Sequence, residues 1–350
     1  MRRRILVTRL TAMGDVAMTA PIVAAVCQAN PDVEVDFLST PFFEPFFERL
    51  PNFHFVATDI RKQKHGLASL WRLFRSLRSG KAQGRDEACD YDAVIDLHDV
   101  LRTKVLRSLF RLSGARVFVI DKGRAEKRRL VSGVERKRLE PMTRRYADVF
   151  RKAGLTVPEG LRLRPKEALP SCCHTLSKGT DTWVGVSPFA QHAGKMYPLE
   201  RMARVLDLLL SHDGVKVFIF GGGAEEKEKA EALAAGRDGC RVMIGRMKLA
   251  EEMALMSNLD VMLSMDSSAM HVCSLYGVRV VSVWGATHPF AGFLGYGQSE
   301  SDCVQRADLS CRPCSVFGNK PCRFGDYRCF HIEPEAVADK VLNAATDKMS

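Results

Sequence analysis

The sequence predicts an α/β protein built on parallel sheets, and two stretches carry that prediction. Residues 258–289 contain in turn a short apolar run, a polar turn, a helical pattern and a β-branched run. Residues 4–9 form a first strand, which leads through a loop into an apolar helical pattern over residues 16–29. A strand, a loop and a helix in that order are the repeating unit of parallel sheets, whose strands are buried on both faces. At 350 residues the chain is long enough for two such domains.

The stretch over residues 258–289 also holds a candidate binding site. A strand over residues 261–263 is followed by Asp266, Ser267 and Ser268, which supply the N-cap chemistry of the next helix. The unpaired N–H groups and the positive dipole end of such a helix suit a phosphate. Asp266 repels phosphate, but it accepts hydrogen bonds from ribose hydroxyls or from backbone N–H groups. In the structural alternative, Asp266 and Ser267 only cap the helix.

A second candidate lies at the other end of the chain. Gly14 and Asp15 fall at a strand-to-helix turn, at the carboxyl edge of a parallel sheet where ligands bind. Taken alone, Asp15 either caps this helix or carries chemistry.

The charge of the chain is uneven. The net charge is +11; residues 1–180 hold 34 Lys and Arg against 20 Asp and Glu, and residues 181–350 hold 18 against 21. A basic N-terminal half suggests an anionic partner, such as a phosphorylated substrate, an acidic membrane surface or a nucleic acid. No basic motif interleaved with aromatic residues is visible, so we expect no nucleic-acid partner.

Targeting and redox signals predict a cytoplasmic protein. The opening residues 2–7 imitate a signal peptide, but Arg9 ends the apolar run too early. The sequence has no run of about 18 apolar residues, so no segment is predicted to span a membrane. Eleven scattered cysteines fit reduced thiols rather than a disulfide framework.

Several motifs resemble one known family. The segments DSSAMH, LYG and VVSVWGATHP resemble the C-terminal signature of glycosyltransferase family 9, which contains the lipopolysaccharide heptosyltransferases. RLTAMGDVAMTAP resembles the first motif of the same family, and PFAQHAGKMYP resembles its lysine motif. Because matches at opposite ends of the chain occur in the right order, the chain is identified as a member. Ser268 and Phe189 stand where the family usually has Gly, and Ala286 where it usually has Pro.

The resemblance implies a GT-B type α/β fold, in which two Rossmann-like domains face each other across a cleft. Residues 1–165 would form the acceptor-binding domain and residues 166–332 the domain that binds the nucleotide-sugar donor. Residues 333–350 would form a closing helix that packs back on the first domain.

The resemblance also implies roles for individual residues. Asp15 would be the catalytic base, and Lys195 would bind the donor diphosphate with the helix N-terminus at Ser267 and Ser268. Glu225, after a glycine turn, and Asp266 would bind the nucleoside side. His271 would support the site or be a satisfied helix histidine. Arg9 and Arg102 are predicted acceptor-binding residues. The alternative for Arg9 is structure or anion steering, and the alternative for Arg102 is pairing with a carboxylate.

The predicted function is inverting transfer of a sugar, heptose from ADP-heptose, onto a phosphorylated glycolipid of the lipopolysaccharide core. The transfer itself needs no metal cofactor, because Lys and N–H groups stabilise the leaving diphosphate. Peripheral contact with the inner leaflet of the membrane is expected. The alternatives are a non-catalytic nucleotide-sugar or glycan-binding protein on this scaffold, or another nucleotide-sugar enzyme such as an epimerase.

Two basic stretches would face that anionic partner. Residues 61–81 form an amphipathic stretch with Leu67, Leu70, Trp71, Phe74 and Leu77 at helical spacing. Residues 122–138 read as a loop dense in cations, which either recognises the phosphorylated acceptor or is a solvated face.

Four cysteines close the list of candidates. Cys311, Cys314, Cys322 and Cys329 begin with a C-x-x-C pair, and four thiolates can hold a structural zinc ion. Reduced, buried thiols are the alternative, followed by a disulfide.

Overall fold

The computed structural model describes residues 3–59, 66–173 and 176–347. The chain divides into two compact units. The first comprises Met1–Lys122 and Met142–Arg162, and the second comprises Gly123–Pro141 and Leu163–Ser350. The segment between residues 123 and 141, predicted within the first domain, therefore belongs to the second unit.

The first unit is built on a five-stranded parallel sheet. The strands are β1 (Arg3–Thr8), β2 (Val33–Ser39), β3 (Phe53–Ala57), β4 (Ala93–Asp96) and β5 (Arg116–Val119), in the order β3-β2-β1-β4-β5. Its helices are α1 (Met13–Ala29), α2 (Leu67–Arg78), α3 (Leu101–Leu112) and α5 (Met142–Lys152). The helix between α3 and α5 in the chain, α4 (Arg124–Val131), belongs to the second unit. Strand β4 is fully buried and the central strand β1 is buried over its last four residues, as expected for a sheet covered on both faces.

The second unit is built on a six-stranded parallel sheet. The strands are β6 (Thr182–Ser187), β7 (Val215–Ile219), β8 (Cys240–Val242), β9 (Val261–Met265), β10 (Arg279–Trp284) and β11 (Cys303–Gln305), in the order β11-β10-β9-β6-β7-β8. The helices are α6 (Leu199–Leu210), α7 (Ala224–Ala234), α8 (Leu249–Met256), α9 (Ser268–Leu275) and α10 (Pro334–Thr346). Strands β6, β9 and β10 supply the middle of the core.

Most predicted elements are present. The strand predicted over residues 4–9 is β1, and the helical pattern predicted over residues 16–29 lies within α1. The basic stretch over residues 122–138 is not simply a loop, because it contains α4. The aromatic run at residues 41–47 forms a short 3-10 helix, Pro41–Phe46.

The predicted closing helix is α10. Its apolar face, which includes Val337 and Val341, lies in the core of the second unit, and the helix packs against α6. The packing of this helix on the first domain stays a prediction.

Only part of the amphipathic stretch 61–81 can be compared, because residues 61–65 lie outside the described residues. In α2 the side chains of Leu70, Phe74 and Leu77 are buried, whereas Leu67 and Trp71 are exposed. Of the helices that the structure describes, none combines the length and the apolar character needed to cross a membrane.

Candidate active site

Asp15 lies on the first turn of α1, at the carboxyl edge of the first sheet. Ala12 is the N-cap residue, so Asp15 is not the N-cap that the structural alternative supposed. Three positions later, its Oδ2 still accepts a 3.5 Å hydrogen bond from the N–H of Ala12, as the acidic member of a capping box. The Asp15 carboxylate forms an ion pair with Arg9, with 2.5 Å between Nη2 and Oδ2. The Asp15 side chain is 26% exposed and that of Arg9 only 5%. The pair therefore turns its carboxylate outward and its cation inward.

Arg9 is held by several groups of the first unit. Its guanidinium donates to the carbonyl of Leu97 at 2.6 Å and lies over the ring of Tyr146. Burial opposes its charge, but Tyr146 and Asp15 outweigh burial and keep the pKa of Arg9 above its ordinary value. The buried position favours the structural role predicted for Arg9 over direct contact with an acceptor.

Tyr146 on α5 is the second partner of Asp15. Its buried hydroxyl donates to Asp15 Oδ1 at 3.3 Å. Sequence reasoning missed this residue, because the two positions are separated by 131 residues. The only local signal was an aromatic residue at the start of a helical pattern.

The second unit contains a matching ion pair. Lys195 Nζ lies 2.8 Å from Asp266 Oδ2, and the side chains are 17% and 4% exposed respectively. Lys195 ends the short 3-10 helix Ala193–Lys195 in the loop after β6, and Asp266 follows the neighbouring strand β9. The structure thus brings together two residues predicted from separate motifs. Here the carboxylate is the inward member and the cation the outward one.

The start of α9 adjoins this pair. Ser267 is the N-cap residue, but its side chain makes no capping hydrogen bond and instead lies 3.1 Å from Ser264 Oγ. The capping alternative is therefore not realised by either Ser267 or Asp266. Ser268 begins the helix, and His271 is buried within it. The first N–H groups of α9 remain oriented toward the carboxyl edge of the sheet.

Close backbone contacts fix the loops around Lys195. The N–H of Ala286 donates to the carbonyl of Gly194 at 2.8 Å, and the N–H of Cys314 donates to the carbonyl of Ala286 at 3.0 Å. A Cβ at Gly194 would lie 2.7 Å from the carbonyl of Gly318 and 3.0 Å from the Cβ of Ala286. Only glycine fits there, because the three loops touch through their backbones.

Glu225 lies farther out on the same sheet. It is on the first turn of α7, after β7, and its side chain is 82% exposed. Its carboxylate pairs with Lys229 at 2.6 Å, and this contact lowers the pKa of Glu225. Its neighbour Glu226, which no motif pointed to, accepts a hydrogen bond from the N–H of Gly222. Phe189 is buried and packs against Gly221, so it fills core space instead of opening the loop.

Two further residues at the sheet edges went unassigned in the sequence. Thr287 follows β10, and its buried hydroxyl makes no hydrogen bond to any residue that the structure describes. His98 follows β4 and lines a cavity of about 340 Å³ together with Arg102, the second residue of α3.

The four C-terminal cysteines are the residues predicted as a possible structural zinc site. Within residues 3–59, 66–173 and 176–347, no three Cys, His, Asp or Glu side chains are arranged to hold a metal ion. Cys329 is buried in the second unit's core, and burial raises its pKa to about 11. All four cysteines are free. The zinc site therefore stays a prediction. The loop that carries these cysteines packs on the Lys195 loop through the hydrogen bonds of Ala286.

Known proteins match this chain in sequence and in fold. Residues 71–326 match the model of glycosyltransferase family 9 (heptosyltransferase). Lipopolysaccharide heptosyltransferase 1 of Pseudomonas aeruginosa is 25% identical over 330 residues, which cover 89% of this chain and 86% of that protein.

Two solved structures share the fold. A family 9 glycosyltransferase from Veillonella parvula has a TM-score of 0.74 at 21% identity and covers 99% of this chain and 98% of its own. The Escherichia coli heptosyltransferase WaaC, solved with ADP, has a TM-score of 0.67 at 18% identity, covering 97% and 99%. The predicted GT-B type fold of two α/β domains is confirmed. Because the family model matches most of the length of this chain, the chain belongs to glycosyltransferase family 9, the heptosyltransferase family, and is a glycosyltransferase.

Proposed function

We propose that this enzyme transfers heptose from ADP-heptose onto a sugar of the lipopolysaccharide core, with inversion at the anomeric carbon. The observation that carries the proposal is the outward carboxylate of Asp15, held on a buried arginine. The names of the relatives agree with it. The Pseudomonas aeruginosa relative is a lipopolysaccharide heptosyltransferase, and the Escherichia coli structure contains ADP.

Asp15 is proposed as the general base. It would take the proton of an acceptor hydroxyl while that oxygen attacks the anomeric carbon and the bond to the diphosphate breaks. The electron pair of that bond leaves with ADP. A single displacement of this kind inverts the anomeric configuration.

Lys195 and the start of α9 are proposed to stabilise the departing diphosphate. An ammonium group and unpaired helix N–H groups both favour developing negative charge, so no metal ion is required. Asp266 holds Lys195 in the unliganded protein. Because a buried carboxylate beside the phosphates would repel them, we propose that Asp266 orients Lys195 and accepts hydrogen bonds from donor hydroxyls.

The nucleoside side is proposed to reach Glu225, with His271 and Thr287 supporting the site. Strands β9, β6 and β7 are neighbours, so the residues that follow them share one edge of the sheet. Glu225 is exposed, and its carboxylate could accept hydrogen bonds from ribose hydroxyls in place of its contact with Lys229.

The acceptor is proposed to be a phosphorylated glycolipid. The exposed side of α2 carries Leu67 and Trp71 beside exposed arginines at positions 72, 75 and 78. Tryptophan and arginine together suit the interface of an anionic membrane.

We expect the protein to float with vesicles containing anionic lipid, and a Trp71→Ala, Arg75→Ala variant to float less. Equal flotation of the two would contradict peripheral binding through α2.

The test of the donor class is thermal unfolding with ADP, UDP and GDP. A ligand at 100 times its Kd adds about 2.7 kcal/mol to the free energy of unfolding. We expect ADP to stabilise the wild type, Lys195→Ala to abolish the effect, and Lys227→Ala, an exposed lysine on α7, to retain it. Stabilisation by UDP or GDP instead would contradict the proposed nucleotide.

The test of the reaction is release of ADP from ADP-heptose with and without a heptose-free core acceptor. Release that depends on the acceptor supports transfer. Donor conversion without an acceptor would indicate an epimerase-like enzyme. Donor binding without turnover would contradict transfer and favour a binding protein.

A further inference from the structure

A cavity of about 340 Å³ lies at the carboxyl edge of the first unit's sheet. Its lining residues follow four adjacent strands. Thr11 follows β1, Thr40 follows β2, Thr58 follows β3, and His98 and Arg102 follow β4. The carboxyl edge of an open parallel sheet is where such folds bind ligands, and the volume falls in the range of small-molecule sites.

The lining is rich in groups that recognise hydroxyls. It includes three threonines, one histidine and one arginine beside three apolar residues, and none of the lining residues carries a carboxylate. A hydroxyl group both donates and accepts, so threonine side chains match the hydroxyls of a sugar in either direction. The Thr40 hydroxyl already donates to the carbonyl of Leu10 at 2.9 Å, which leaves its lone pairs for a ligand.

His98 is the most constrained of these groups. It is 9% exposed, and its backbone N–H donates to Asp96 Oδ1 at 2.9 Å. Its Nε2 lies 3.4 Å from the Thr11 hydroxyl, while Nδ1 is buried without a hydrogen-bond partner among the residues the structure describes. A buried ring nitrogen without a partner costs free energy, which a ligand hydrogen bond to this ring would offset.

The ring is neutral at physiological pH. Burial lowers the pKa of His98 to about 4, and the positive charges of Arg9 and Lys122 act in the same direction. A neutral imidazole has one donor and one acceptor nitrogen, which suits a hydroxyl group. It adds no charge beside the Asp15 carboxylate.

The cavity adjoins the proposed base. Thr11 directly precedes the start of α1, which carries Asp15 on its first turn. The charge of Asp15 is close enough to His98 to act on its pKa. A sugar held in the cavity would present a hydroxyl next to the carboxylate that must deprotonate it.

We propose that this cavity holds the acceptor sugar and that His98, backed by the Thr11 hydroxyl, positions it through a hydrogen bond to a hydroxyl other than the attacking one. The inference rests on the proposed transferase function. It assigns His98 as an acceptor-binding residue, with Thr58 and Arg102 as further walls of the same subsite.

The test compares His98→Phe, which keeps the ring and removes both nitrogens, with His98→Gln, which restores a donor and an acceptor. We expect the acceptor KM to rise about 10-fold or more in His98→Phe and to recover largely in His98→Gln, from the loss and return of one hydrogen bond. The Kd for ADP should be the same in all three proteins. An unchanged acceptor KM in a folded His98→Phe variant, or an equal loss of ADP affinity, would overturn the inference.

A second measurement does not need turnover. In protein labelled with ¹⁵N-histidine, the ring resonances of His98 should shift when deacylated core oligosaccharide lacking heptose is added, and this shift should not require donor. A wild type that binds ADP but does not transfer, and whose His98 resonances still respond, would contradict the proposed function while supporting the subsite. Saturating oligosaccharide with no His98 shift in an enzyme that transfers would overturn the subsite alone.

Discussion

Each unit of this enzyme has a cation–carboxylate pair beside its proposed site at the carboxyl edge of a parallel sheet, Arg9 with Asp15 and Lys195 with Asp266, and these two pairs are inverted. In the first unit Arg9 is 5% exposed and Asp15 26%, whereas in the second Asp266 is 4% exposed and Lys195 17%. In both, the member proposed to touch substrate is the outward one. In both, the inward member holds it in place.

The difference between the pairs follows from the charge that each outward side chain must present in its proposed role. A base must present a carboxylate, and a buried arginine cannot lose its charge, so Arg9 is a permanent support for Asp15. A phosphate ligand must present a cation, and the buried Asp266 supports Lys195 in the same way. An ion pair with one buried member is costly to break, which keeps each outward group in a single position.

The largest effect should follow removal of the proposed base, Asp15. In Asp15→Asn the side chain keeps its size but cannot accept a proton, so the transfer rate should fall by at least about 10²-fold. The affinity for ADP should be unchanged, because the donor belongs to the other pair. Single-turnover transfer and calorimetric titration with ADP measure the two quantities.

Asp90→Asn is the matched control for this change. Asp90 is an 83% exposed carboxylate of the first unit that pairs with Arg78. It should transfer at the wild-type rate. If Asp15→Asn retained most of its rate, the outward carboxylate would not be the base, and the comparison between the two pairs would lose its meaning.

The second pair should respond differently to loss of its outward member. Lys195→Met leaves Asp266 buried without its cation, which should lower the free energy of unfolding by about 2–4 kcal/mol. It should also weaken ADP binding by about 10- to 100-fold, because a charge-assisted contact is lost.

The double variant Lys195→Met, Asp266→Asn separates stability from function. Removing the buried charge should restore most of the stability measured by urea unfolding, while ADP affinity should stay low. Recovery of both would mean that Lys195 acts only as a structural partner of Asp266. In that case the phosphates would have to be bound by other groups.

Local sequence patterns were sufficient for much of the framework. Apolar runs and caps located the strands β1, β9 and β10 and the helices α1 and α9, and motif resemblance pointed to Asp15, Lys195 and Asp266 individually. Short edge strands escaped, since β3 and β11 have only five and three residues and are only partly buried. Such segments carry too few side chains for a periodic pattern.

The pairing of these residues was beyond local reasoning. Tyr146 reaches Asp15 across 131 positions of sequence, and no spacing rule connects them. The same holds for α10, whose contacts with α6 in the second unit's core join segments that are far apart in the sequence. The zinc prediction has the same limit, because a C-x-x-C spacing places two thiols near each other and only the fold decides whether the others join them.

The carboxylate of Glu252 contrasts with those of Asp15 and Asp266, because burial alone shifts its pKa. Burial raises the pKa of Glu252 on α8 from 4.5 to about 7. Between pH 4.5 and about 7, Glu252 keeps its proton in the folded state and has lost it in the unfolded state. The free energy of unfolding of the wild type therefore falls as the pH rises through this range. Above about pH 7 the buried carboxylate is charged, and its whole desolvation cost destabilises the folded state. Glu252→Gln should therefore stabilise the protein at pH 8, on the order of 1–3 kcal/mol, and have little effect below pH 4.5.

Chemical unfolding at pH 8 and pH 4.5 measures this effect, and Glu251→Gln provides the control. Glu251 accepts a hydrogen bond from the N–H of Lys248 at 2.8 Å, so its replacement should not stabilise the protein at either pH. A Glu252→Gln variant that is less stable at pH 8 would show that this carboxylate has a compensating partner, as Asp266 does.

The smallest effect should come from Tyr146→Phe, which removes one support of Asp15 and keeps the ring beside Arg9. The lost hydrogen bond is 3.3 Å long, so stability should fall by about 1 kcal/mol or less. The kcat should drop roughly 2- to 10-fold, because Asp15 is less firmly oriented, and both KM values should stay the same.

Tyr197→Phe is the matched control, since the buried Tyr197 hydroxyl donates to the carbonyl of Ile332 at 2.6 Å in the second unit. It should lose comparable stability with an unchanged kcat. Equal kcat losses in the two variants would mean that the effect arises from general loosening, and that Arg9 alone positions Asp15.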